Sequence, residues 1–128
     1  MTDLSRSAAR ILIVEDELLV RMFAVDALED AGFSVTQAGD AAEALVALNA
    51  SLNEFAAVVV DLGLPDRSGD LLAADIRALR ADLPILIASG RSERELKDRF
   101  AGDKHIAILV KPYTSQLLID ALESLGVK

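Results

Sequence analysis

The chain has 128 residues, 52% hydrophobic and 27% charged, which suffices for one self-supporting core and is too apolar for a disordered polymer. It has no cysteine, which removes disulfides, thiolate metal sites and cysteine nucleophiles. Its formal net charge of −8 has the wrong sign for a nucleic-acid or anionic-membrane surface.

The start, MTDLSRSAAR, is polar, and residues 1–9 read as a flexible N-terminal arm ahead of a single domain over 10–128. The apolar run behind it, Ile11–Val14, stops after four residues, far short of a signal peptide or a membrane span. The expectation is a soluble, cytoplasmic protein. Ile11–Val14 is the first predicted strand, and Glu17–Ala31 the first helix, with Gly32 as its stop. Phe33–Gln37 alternates and predicts a second strand near an edge. Asp40 opens a helix to Ala50, with Glu43 completing a capping box. Phe55–Val60 predicts strand three, Ser68–Arg80 a helix, and Pro84–Ala88 strand four. Ser92–Phe100 predicts a charged helix, His105–Val110 strand five, and Thr114–Leu125 the last helix. The prolines at 65, 84 and 112 all fall at boundaries. Strict βα alternation implies a parallel sheet covered on both faces, and the expected architecture is a flavodoxin-like (βα)5 fold; if its strand order is 2-1-3-4-5, strands one and three lie side by side.

Four of these strands finish on polar residues. The first ends in Glu15, Asp16 and Glu17, the third at Asp61, the fourth at Ser89 and the fifth at Lys111. A parallel sheet puts all these ends on one edge, and in that order strands one and three are neighbours about 4.8 Å apart. Asp61, at the end of the valine-rich run VVVD, is an expensive residue to place against a core unless it is paired. Here it would meet acids on one side and a hydroxyl and an ammonium on the other. Close carboxylates repel one another without a cation, and hard oxygen ligands suit magnesium. A carboxylate beside such a metal can itself attack phosphorus.

The pieces VEDE (Val14–Glu17), VVVDLGLPDRSG (Val58–Gly69), PILIASG (Pro84–Gly90) and LVKPY (Leu109–Tyr113), in this order at strand ends, resemble the receiver domain of two-component response regulators over residues 9–126, in its stand-alone form. That resemblance implies Asp61 as phosphoacceptor, Asp16 as a direct Mg²⁺ ligand, Glu15 as a ligand through water, and the Gly63 backbone carbonyl as a further one. It implies Ser89 as the switch hydroxyl, Lys111 as the phosphate-pairing lysine, and a cis Lys111–Pro112 bond. It also implies a histidine kinase or histidine phosphotransfer protein as partner, a possible downstream protein target, and a monomer or weak phosphorylation-dependent dimer. The position that commonly carries the family's mobile aromatic ring is Ile108, so signal output is expected through Ser89–Arg99 instead.

Simpler roles exist for several of these residues. Asp61 could merely cap the third helix, and Glu17 complements a helix dipole. Ser92 is better placed than Ser89 to cap the fourth helix, and His105, alone and away from the acidic edge, is assigned no role. The stretch Arg91–Arg99 balances its bases with acids through Glu93–Lys97 and Glu95–Arg99 pairs, which marks a solvated face. The competing function is a metal-dependent phosphohydrolase with an aspartyl nucleophile. Enzymes of the haloacid dehalogenase kind usually place a second aspartate two residues on, where this chain has Gly63. A third reading is a receiver-shaped binding module that is never phosphorylated. The expectation is a signalling domain and not a turnover enzyme.

Overall fold

The valine- and isoleucine-rich runs form five parallel strands, β1 Arg10–Val14, β2 Ser34–Ala38, β3 Phe55–Asp61, β4 Ile85–Ser89 and β5 Ile106–Val110, in the order β2-β1-β3-β4-β5. This is a computed structural model, and it describes residues 9–90, 95 and 98–127. Of the expected N-terminal arm, all but Ala9 lies outside the described residues. Ser92 and the Glu93–Lys97 pair lie outside them too. Of the expected helix Ser92–Phe100, residues 95, 98 and 99 are helical.

Alternation along β1 splits the core. Leu12 and Val14 join Val58, Val60, Ile85 and Ile87 on one face, against Ala44 and Leu48 of helix α2 (Ala41–Ser51) and Leu72 and Ile76 of α3 (Gly69–Leu79). Ile11 and Ile13 join Ala57, Val59 and Leu86 on the other face. There they meet Ala24 and Leu28 of α1 (Leu18–Asp30) and Leu118 and Leu122 of the C-terminal helix, Ser115–Ser124. Both faces of the central strands are therefore apolar, as a doubly covered parallel sheet requires. No helix among the described residues is long and apolar enough to cross a membrane.

The helix ends follow the local chemistry. Gly32 has φ +97°, a left-handed conformation that stops α1 at little cost. Thr114 accepts from the Leu117 amide and opens the C-terminal helix. At α2, Asp40 accepts from Glu43 N–H at 2.8 Å as expected. The return bond differs, because Glu43 Oε1 accepts from Gly39 N–H at 3.0 Å and not from Asp40. Gly69 begins α3 for reasons of space. A Cβ there would lie 2.5 Å from the Asp61 carbonyl oxygen and 2.7 Å from Leu62 Cα, so backbone rests on backbone.

Boundaries move by a residue or so. β2 and β4 each run one residue later than their periodicity predicts, β3 extends through Asp61, and a 3₁₀ turn at Leu52–Glu54 precedes it. Arg77 joins the distal end of the fold. It donates to Asp103 at 2.6 Å, to the Leu83 carbonyl at 2.7 Å and to the His105 carbonyl at 3.3 Å.

Candidate functional site

Register places the site. Val14 pairs with Val60, so Glu15 and Asp61 follow in the next row; Asp61 pairs with Ala88, and Ser89 with Val110, which puts Lys111 one step beyond. All the polar strand ends therefore reach the same edge. Glu15, Asp61 and Ser89 are the three polar residues counted as buried among those described, while Asp16 beside them is exposed.

Lys111 is shared. Its Nζ donates to Glu15 Oε1 at 2.8 Å and to Asp61 Oδ1 at 3.0 Å. Asp61 thus turns its carboxylate to the lysine and not to the start of α3, whose first turn hangs on the Ser68 carbonyl through Leu71 and Leu72 N–H. Burial alone would lower the Lys111 pKa, but hydrogen bonds to Glu15 and Asp61 outweigh it and hold the ammonium above its ordinary value. Burial pushes the Glu15 carboxyl up, opposed by the bonds from Lys111 and the Glu17 amide. The neighbouring Tyr113 phenol is raised by burial and by the Glu15 charge. The Lys111–Pro112 bond is cis.

One oxygen from each of Glu15, Asp16 and Asp61 lies within 4.8 Å of the others. Three carboxylates against a single ammonium leave two negative charges, a hard-oxygen set that fits a small divalent cation. Beside them opens a cavity of about 540 Å³, whose lining includes Asp61, Gly63, Asp70, Ser89, Arg99 and Lys111. Gly63 lies next to the carboxylate, and a Cβ there would stand 3.9 Å from Asp61 Oδ2, an ordinary contact distance. Ile108 is elsewhere. It pairs with Ile87 on β5 and packs, half-buried, against the α2–α3 face of the core.

Two neighbours of the site, Arg21 and Asp66, went unnoticed in the sequence, and a third, Arg99, was expected beside Glu95 but pairs with Asp70. Arg21 donates to the Glu15 carbonyl at 2.8 Å and to Gln37 at 3.2 Å, which steadies the turn carrying Glu15 and Asp16. Asp66 accepts two amides from α2. Arg99 reaches Asp70, 29 residues away, at 2.8 Å. Arg21 sits four residues after Glu17, where a helix-face ion pair is the natural reading, and Asp66 follows a proline, where a turn is. No local pattern distinguishes either from those plainer roles.

The chain has counterparts in sequence and in fold among known proteins. The profile of the response regulator receiver domain matches residues 11–123. The sensor kinase CckA of Brucella abortus is 32% identical over 97% of this chain and 13% of that protein. The transcriptional regulatory protein PdtaR of Mycobacterium tuberculosis is 36% identical over 89% of this chain and 55% of that protein. The chain therefore spans about half, or far less, of these relatives' lengths. Among solved structures, the chemotaxis protein CheY4 of Vibrio cholerae superposes with a TM-score of 0.84 at 26% identity, covering 93% of this chain and 99% of that one. A receiver protein from Sinorhizobium medicae gives 0.81 at 31%, covering 92% and 94%. Nothing in these matches favours a phosphohydrolase. With the profile spanning nearly the whole sheet and the acids, hydroxyl and lysine gathered at its one edge, the chain belongs to the response regulator receiver domain family.

Proposed function

We propose that Asp61 accepts a phosphoryl group from a histidine kinase or a histidine phosphotransfer protein, in a signalling domain that performs no multiple-turnover hydrolysis. The observation that carries this reading is Lys111 Nζ divided between Glu15 and Asp61 at the mouth of a cavity that also holds Ser89. Asp16 and Asp61, with the Gly63 carbonyl, would hold Mg²⁺, and Glu15 would hold it through water. When bound, the metal neutralises charge on the phosphoryl oxygens.

The remaining work falls to the chain's own side chains. An Asp61 oxygen forms the new O–P bond while the donor's P–N bond breaks, and the imidazole nitrogen keeps the electron pair and takes up a proton. Lys111, already within hydrogen-bond distance, pairs with the arriving anionic oxygens, and the Ser89 hydroxyl donates to them. Ile108, β-branched and stiff at χ1, does not repeat the swing of an aromatic ring. Readout by a protein partner through the region after Ser89, as a monomer or a weak phosphorylation-dependent dimer, completes the proposal. The acidic surface favours protein over nucleic acid, and a cytoplasmic setting suits such a donor.

Acetyl phosphate with Mg²⁺ tests it. Intact mass is expected to show one added phosphoryl group, absent in Asp61→Asn and without metal. Labelling of Asp61→Asn at the parent level would remove Asp61 from its role. Steady turnover of a chromogenic phosphate ester would favour the phosphohydrolase instead.

A further inference from the structure

The first amides of a helix have no carbonyl of a preceding turn to bond, so each needs an acceptor from elsewhere. At α2 the amides of the first three helical residues find side-chain acceptors. Glu43 N–H donates to Asp40 Oδ1 at 2.8 Å, a local bond, and from Ala44, whose N–H donates to the Asp40 carbonyl at 3.2 Å, the helix's own bonds take over. Ala41 and Ala42 N–H donate to Asp66 Oδ1 at 2.9 Å and Oδ2 at 3.0 Å, a carboxylate 25 and 24 residues away. Asp66 stands in the loop between Asp61 and α3.

That loop needs holding. Its ends are fixed by backbone, with Leu62 N–H on the Ala88 carbonyl at 3.0 Å and Gly69 N–H on the Leu62 carbonyl at 2.8 Å. Between these anchors Gly63 is exposed. Leu64 is buried, and Arg67 pairs with Asp75 at 2.6 Å, but Asp75 belongs to α3, the helix the loop itself leads into. Asp66 fastens the loop to a different element. Ala42 is exposed but Ala41 is buried, so Asp66 caps the helix and at the same time ties the loop to it.

We infer that Asp66 is a positioning residue for the site. By gripping the start of α2 with both oxygens, it holds residues 62–68 so that the Gly63 carbonyl stays beside Asp61 and Asp16. The inference rests on the magnesium reading given above, and it makes the α2 N-terminus part of the support of a site that α2 does not touch. Outer groups that orient metal ligands are commonly worth tenfold or more in affinity.

The same helix supplies the control. Asp66→Ala and Asp40→Ala each remove a cap from α2, but only the first releases the loop. Calorimetric titration with Mg²⁺ alone is expected to give about tenfold weaker binding for Asp66→Ala and a change of no more than about twofold for Asp40→Ala. Hydrogen exchange of the metal-free protein is expected to quicken at residues 62–68 only in Asp66→Ala. Asp66→Asn keeps an acceptor for Ala41 but sets its amide against Ala42 N–H, so an intermediate loss is expected; it also carries the test if Asp66→Ala fails to fold. Parent-like Mg²⁺ binding and exchange in Asp66→Ala, or an equal loss in Asp40→Ala, would reduce Asp66 to a helix cap. Absence of Mg²⁺ binding by the wild type would overturn the magnesium reading, and this inference with it.

Discussion

Glu15 and Asp16 are neighbours in sequence and opposites in environment. Glu15 is 4% exposed and lies against Lys111, whereas Asp16 is open to water. Burial raises the Glu15 carboxyl above its ordinary 4.5, and the Asp61 charge adds a smaller push in the same direction. A raised acid binds protons more readily folded than unfolded, so ionising it costs stability as pH rises past that range. At pH 7 without metal, Glu15→Gln is expected to melt a few degrees higher than the parent. Asp16→Asn is expected to shift little and to lose the stabilisation by Mg²⁺. Thermal melts with and without Mg²⁺ check both, and a lower metal-free melting temperature for Glu15→Gln would show that its bond to Lys111 outweighs its burial.

Elements were more legible than the contacts between them. Apolar runs, prolines and the stop at Gly32 marked the strands and helices to within a residue or so, because period and backbone freedom are local properties. The functional edge followed from the strands being parallel, whereas the order 2-1-3-4-5 was an assumption that the structure bears out. What stayed hidden were side chains that span the fold, such as Asp66 on α2 or Arg77 on Asp103, 26 residues away. A long arginine on a helix looks like solvated surface until its partners are known. Arg77 instead locks α3, the turn before β4 and the approach to β5 through Asp103 and three carbonyls. Arg77→Ala is expected to cost about 2 kcal/mol, since partly buried carbonyls and a carboxylate lose a charged donor together. Arg77→Lys should recover only part of this, because an ammonium cannot reach the same fork of acceptors. Urea unfolding measures both; a loss below about 0.5 kcal/mol in Arg77→Ala would make the cluster ordinary surface.

For the molecule as a whole, the carboxylates set the response to acid. Asp66 is lowered by the Ala41 amide, Asp70 by Ser68 and Asp82 by Arg80; for Asp103 burial acts upward but the Arg77 bond prevails. Each folded value lies below the unfolded one, so their stabilisation is complete above about 3.8 and is lost as pH falls through the folded values. Glu15 acts in the opposite sense, alone against four. Urea midpoints are expected to hold from neutrality down to about pH 5 and then to fall steeply below pH 4. On the alkaline side, the raised Lys111 adds stability below its unfolded value, which is lost as pH climbs through the higher folded one. A midpoint that rises between pH 5 and pH 3 would mean that relief at Glu15 governs instead.

The bare contact at Gly69 has a mechanical meaning. With no side chain between the head of α3 and the carbonyls of Asp61 and Leu62, the joint has no compliant layer to absorb a displacement. The strand and the helix form one stiff lever. A load applied at the Asp61 carboxylate therefore cannot be taken up by tilting α3 against its own strand. The path it has left is the side-chain one, through the 3.0 Å bond to Lys111 at the end of β5.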